Sequence, residues 1–217
     1  MEEVRIETLG GAFSVSIHGR GDRIVALGHG AGGTRKQPAL LALADAIAAS
    51  GRRTLLFNFP YSEKGSGRPD TPAVLESAVG SVAEYARRSL GARRLTLGGR
   101  SMGGRIVSQA VAKGLAADGL VLLAYPLHPP GKPDQLRDRH LPGITAPMLF
   151  VQGTRDDFAR RDLLEAVLAR LAERAALHRI EDGDHSFKVR KSTGRSAEEV
   201  ARELHGAVLS WLEGHEL

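Results

Sequence analysis

Cysteine is absent from all 217 residues. That absence excludes disulfide staples, thiolate metal sites and a cysteine nucleophile, and it leaves the redox compartment open. A chain of this length can bury a full central sheet without such staples. Aromatic residues make up only 5% of the sequence, too few to build stacking platforms for bases. No apolar run approaches the roughly 20 residues needed to span a bilayer. The opening MEEVRIETLGG lacks the charged-then-apolar layout of a secretory leader. A cytoplasmic protein with no membrane partner is expected.

The formal net charge is +5, which raises nucleic acid as a partner. Yet the basic residues fall in scattered pairs (Arg52-Arg53, Arg87-Arg88, Arg93-Arg94) with Asp and Glu between them. That pattern describes a solvated, arginine-rich surface, so no nucleic-acid partner is expected.

Apolar strands alternate with amphipathic helices along the chain. Strands are expected near Val4–Thr8, Phe13–Ile17, Ile24–Leu27, Thr54–Phe57, Arg94–Leu97, Leu120–Ala124, Met148–Val151 and Leu177–Ile180. Helical spacing falls between them, notably over Met102–Ala112 and Arg161–Ala175 and through Val200, Leu204, Val208 and Leu212. Thr71 with Pro72 marks a helix start, as N-cap and first helical residue. Continuous apolar strands separated by helices predict an α/β fold, with a mostly parallel sheet covered on both faces. Residues 1–217 read as a single domain, since no linker or repeat divides them.

Two glycine loops carry the chemical signals. Gly28-His29-Gly30-Ala31-Gly32-Gly33 satisfies the dinucleotide pattern G-x-G-x-x-G between a strand and a helix. The following strand, however, ends Phe57-Asn58-Phe59-Pro60 without the acid that would hold a ribose. No Walker-type G-K-[ST] is present either. The second loop, Gly99-Arg100-Ser101-Met102-Gly103, spells G-x-S-x-G at a strand-to-helix junction. There a serine held on a strained turn needs small residues two before and two after it, and Gly99 and Gly103 meet that demand. The amide of Met102 would then face an oxyanion beside Ser101, and Ala31 in the first loop would supply the second amide. A plain strand-to-helix turn is the competing reading of the first loop.

A serine nucleophile needs a base and a third group that orients it. In the order serine, acid, histidine, the loop Gln152-Gly153-Thr154-Arg155-Asp156-Asp157 offers the acid, and Glu181-Asp182-Gly183-Asp184-His185 offers the histidine. Spacing from Gly153 favours Asp156 over Asp157, and Asp184 is suited to shaping the turn before His185.

The segments LGGRSMGG, HGAGG, VQGTRD and GDHSF resemble the α/β-hydrolase superfamily over nearly the whole chain. YPLHPPGKPDQLR and HLPGITAPMLFVQGTRD are similar to small bacterial hydrolases related to the dienelactone hydrolase branch. The resemblance implies a sheet of eight strands or slightly fewer and a triad of Ser101, Asp156 and His185. Dienelactone hydrolases use a cysteine nucleophile, which this sequence lacks. The interval Tyr125 to Pro147 is too short and too proline-rich for a helical cap, so an open site is expected. Its borders are expected to be the loop from Tyr61 to Asp70 and residues Leu127 to Pro130. His29, Tyr61, Arg100 and His128 are the expected substrate contacts, with His29 orienting its loop and not acting as base. Lys64, Arg68, Arg100 and Arg155 read more readily as a solvated basic rim without selectivity than as one that favours an anionic acyl compound. Phe59, Tyr61, Met102 and Phe187 either wall an apolar acyl pocket or, more commonly for such residues, are plain core. The expected enzyme is a carboxylesterase-like serine hydrolase, monomer or homodimer, acting on a small-molecule ester or thioester with no metal and no cofactor. The alternative is a catalytically silent interaction module on the same fold.

Overall fold

The computed structural model describes residues 2–217. Eight strands form one sheet: β1 (Glu2–Ile6), β2 (Phe13–Gly19), β3 (Arg23–Gly28), β4 (Arg53–Phe57), β5 (Arg94–Arg100), β6 (Gly119–Leu123), β7 (Met148–Gly153) and β8 (Ala175–Ile180). The helices are α1 (Pro38–Ala49), α2 (Pro60–Glu63), α3 (Pro72–Arg88), α4 (Met102–Ala112), α5 (Arg161–Leu171) and α6 (Ala197–Gly214). The strand order is β1-β2-β4-β3-β5-β6-β7-β8. Pairing from β4 onward is parallel, and only the contacts of β2 with β1 and β4 are antiparallel.

The apolar runs of the central strands have no polar side because both faces are covered. Ile24 and Ala26 of β3, with Leu120 and Leu122 of β6, face α3, α4 and α5. Val25 and Leu27, with Val121 and Leu123, face α1 and α6. Full burial of each such side chain contributes about 1.5–3 kcal/mol, and the sheet separates two apolar clusters, one under each helical layer. Parallel pairing then places the carboxyl ends of β3 to β8 along one edge, where the loops that carry the candidate groups emerge.

The structure departs from the sequence expectations in five places, the first being β1, which covers Glu2–Ile6 and not Val4–Thr8 because it pairs in register with Phe13–Ile17. β5 runs to Arg100 and does not stop at Leu97, because Gly98 and Gly99 pair with Leu27 and Gly28 on one side and with Val121 and Leu122 on the other. Pairing thus overrides the low strand propensity of glycine. Thr71 sits at the N-cap of α3 but its side chain makes no capping bond, so Pro72 alone marks the start. The expected helix to Ala175 stops at Leu171 and passes through a short 3-10 turn, with Ala172 at φ +50°. Ala175 is drawn into the sheet opposite Met148. Last, α2 forms just after β4, starting at Pro60, and Glu63 tethers it. That carboxylate accepts from Ser14 N–H (3.0 Å), Ser14 Oγ (3.2 Å) and Asn58 Nδ2 (2.6 Å).

Between β6 and β7 the described chain holds a single 3-10 turn, Leu141–Gly143, and no α-helix. No helix is long and apolar enough to cross a membrane among the described residues. Phe150 in β7 is fully buried and meets Tyr125 edge-on at 5.6 Å. Phe150→Ala is expected to cost about 3–5 kcal/mol, read as a lower denaturant midpoint at unchanged slope.

Candidate active site

Ser101 lies between the end of β5 and the start of α4, with φ 52° and ψ −118°. Its N–H is anchored to Leu123 O at 2.8 Å, so the strain is held by the neighbouring strand's end. The flanking glycines are sterically required. A Cβ on Gly99 would sit 2.5 Å from Gly28 O, and one on Gly103 would sit 2.5 Å from Gly28 O and 2.7 Å from His29 O. The first glycine loop is therefore pressed directly against the start of α4.

His185 Nε2 is 2.8 Å from Ser101 Oγ, and its Nδ1 is 2.9 and 2.8 Å from the two oxygens of Asp156. A carboxylate only accepts, so Nδ1 carries the proton and Nε2 is free to accept from the serine hydroxyl. The Asp156 side chain is wholly buried, while the His185 side chain is 21% exposed. Gln152 Nε2 donates to Asp156 Oδ2 at 2.5 Å, and the Phe158 N–H donates to Oδ1 at 2.8 Å. Gln152 is itself oriented by the Tyr125 N–H, which donates to its Oε1 at 2.9 Å. Asp156 is thus the acid in contact with His185, and its neighbour Asp157 is exposed. Asp184 accepts from the N–H groups of Ser186 (2.7 Å) and Lys188 (2.9 Å), which turns the chain just after His185.

Met102 opens α4, so its N–H has no partner within the helix. Ala31 is exposed in a turn closed by Gly33 N–H to Gly30 O at 3.0 Å, with Gly32 at φ +68°.

The expected substrate contacts divide sharply. His29 is fully buried; its Nε2 accepts from Phe59 N–H at 3.1 Å, which leaves Nδ1 to donate to Gly30 O at 2.8 Å. Both nitrogens are spent on backbone, so His29 fastens the first glycine loop and has none left for a substrate. Burial holds its pKa below the usual imidazole value. His128 is the same case. It is buried, with Nε2 accepting from Arg160 N–H (2.9 Å) and Nδ1 donating to Pro129 O (2.9 Å). Tyr61 is 1% exposed, its ring edge-on to His29 at 5.8 Å, and burial pushes its phenol pKa up. It is a packing residue under the loop.

Arg100 alone of the four is partly exposed. Its Nη2 donates to His185 O (3.1 Å) and Ser186 Oγ (3.0 Å), which ties the elbow to the histidine loop. A Cβ on Gly30 would lie 3.5 Å from both Arg100 Nη1 and Ser101 Cβ, so the guanidinium borders the serine. Burial pulls its pKa down, and the charges of Asp156 and Asp184 oppose that shift. Arg155 pairs with Asp182, 3.0 Å away, which offsets its charge. The expected apolar wall is also split. Phe59, Tyr61 and Met102 share one core cluster, whereas Phe187 packs against the other face of the sheet. Missed by sequence reasoning were Gln152 and Phe158, whose contacts to Asp156 and His185 depend on a loop geometry that no spacing encodes.

Among the described residues no group of three or more His, Cys, Asp or Glu is placed to hold a metal ion. Two outcomes follow from this arrangement. Gly99→Ala drives a methyl into Gly28 O and is expected to cost about 1–3 kcal/mol, measured as a drop in thermal midpoint. Secondly, burial lowers the pKa values of His29, His140 and His205 from the ordinary 6.5. Below pH 6.5 the unfolded chain therefore binds more protons than the folded one, and stability falls as pH drops, with the fully buried His29 contributing most. Denaturant titrations at pH 7.5, 6.5 and 5.5 check this; constant stability across them would contradict it.

Solved structures share this arrangement of strands and helices. An alpha-beta serine hydrolase homologue from Coxiella burnetii aligns at TM-score 0.76 with 19% identity, covering 97% of each chain. A serine hydrolase without a lid from Xanthomonas campestris aligns at 0.72 with 21% identity, over 97% of this chain and 94% of that one. A dienelactone hydrolase from Anabaena variabilis aligns at 0.79 with 18% identity, over 98% and 96%. The model of the alpha/beta hydrolase domain matches residues 21–213. The chain therefore belongs to the alpha/beta hydrolase family.

Proposed function

We propose that the protein is a serine hydrolase of the carboxylesterase type, cleaving small ester or thioester substrates through an acyl-enzyme. The observation that carries this reading is the unbroken hydrogen-bonded chain from Ser101 through His185 to the buried Asp156. His185 takes the proton of Ser101 as its oxygen attacks the carbonyl, and Asp156 stabilises the imidazolium that forms. The amides of Met102 and Ala31 receive the oxyanion, and water activated by the same histidine later releases the acyl group. Arg100, the one expected contact that reaches the site's surface, faces the substrate beside Ser101. The mechanism calls on no metal and no organic cofactor. The uncapped site suits small, soluble substrates. Esterases are among the structures of similar fold, including Est1E from Butyrivibrio proteoclasticus, which has also been solved with ferulic acid bound.

A fluorophosphonate probe is expected to label the wild type at Ser101, with the adduct located by mass spectrometry. Hydrolysis of p-nitrophenyl acetate and butyrate should fall by about 10⁴–10⁶-fold in Ser101→Ala. A well-folded wild type that neither labels nor turns over would sink the enzyme reading and favour a silent binding module.

A further inference from the structure

Phe158 is the one large apolar side chain in the acid loop, and it belongs to neither core cluster among the described residues. It is half-buried. Its ring lies on the imidazole of His185, with centroids 4.1 Å apart and planes inclined by 26°. Its N–H is the one that donates to Asp156 Oδ1 at 2.8 Å. Its carbonyl accepts from the His128 N–H at 2.9 Å, while His128 Nε2 accepts from the N–H of Arg160 two residues on. The backbone around the ring is thus fixed on both sides by a buried histidine. An aromatic ring held this firmly against an imidazole, with no core to fill, calls for a role at the imidazole.

We propose that Phe158 is a positioning residue that sets the plane of the His185 ring and favours the imidazolium formed during acyl transfer. This rests on the Ser101–His185–Asp156 reading of the site. The two hydrogen bonds of His185 fix the direction of its nitrogens, and the stack confines the ring's tilt and shields one face from water. The negative face of a phenyl ring also attracts a cation lying over it. The ring therefore helps most when the imidazole is protonated, which is in the transition state and not in the resting enzyme.

Substitution separates the ring from the backbone amide, because every variant except proline keeps the N–H that Asp156 accepts. Phe158→Leu keeps apolar bulk and removes the π face; Phe158→Tyr keeps the face. On p-nitrophenyl butyrate, Phe158→Leu is expected to lower kcat about tenfold at unchanged KM, with Phe158→Tyr within about twofold of wild type. An unchanged kcat in Phe158→Leu overturns the proposal. A raised KM at constant kcat also does, since Phe158 would then be a wall of the substrate site. Equal losses in both variants would reduce the ring to plain packing and overturn it too.

A second readout needs no turnover. In the wild type the His185 ring protons, assigned by their loss in His185→Gln, should resonate upfield through the ring current of Phe158 and move back in Phe158→Leu. If the wild type proves inert to esters and probe, the serine-hydrolase reading fails on its own. The shift would still decide the placement: its presence supports Phe158 as what orients the imidazole, and its absence refutes that.

Discussion

At the carboxyl edge of the sheet, the ends of β3 and β5 and the first turn of α4 converge with no room for a side chain between them. A single carbon at residue 99 or 103 would lie 2.5 Å from Gly28 O, well inside contact distance. Everything else at the edge follows from this crowding. It forces Ser101 into its positive φ. It brings the first glycine loop against the start of α4, where the amide of Met102 is free. Glycine is used here for the absence of bulk, and its flexibility is incidental.

Two buried histidines, both bonded to backbone through both ring nitrogens, hold the loops around this junction. His29 and His128 have the same tautomer for the same reason. Each Nε2 accepts from a backbone N–H, at residue 59 and residue 160, and each Nδ1 donates to the carbonyl of the next residue. A neutral imidazole is well suited to this work. It offers one donor and one acceptor on a rigid ring, so it satisfies two buried backbone groups at once. The third histidine at the edge, His185, differs in having a carboxylate on one side and a hydroxyl on the other. The partners, not the residue type, separate the braces from the histidine proposed as base.

The fold was legible in the sequence because continuous apolar strands and amphipathic helices follow directly from burying both faces of a parallel sheet. Ser101 and His185 stood out because each sits just past a strand end in a fixed chain order, and the spacing from Gly153 pointed to the acid that the structure places against His185. His29, Tyr61 and His128, expected as substrate contacts, are buried instead, for one physical reason. A polar residue in a loop near a site looks exposed in one dimension, but its burial depends on partners 30 or so residues away, such as Phe59 for His29. Gln152 gave no signal at all. An uncharged side chain at a strand end acquires its role only when Tyr125 and Asp156 bracket it. The strand's extension through Gly98 and Gly99 was hidden likewise, because pairing on both sides outweighed propensity.

The segment that follows β6 carries a trade-off of its own. Its first residues run buried from Tyr125 to His128 and, through His128, lock the loop that holds Asp156. A cap inserted here would have to lengthen this same stretch of chain. Here the stretch already works as a strut, and a strut cannot also be a hinge. Any descendant that acquired a lid at this point would first have to find another support for the loop that carries Asp156.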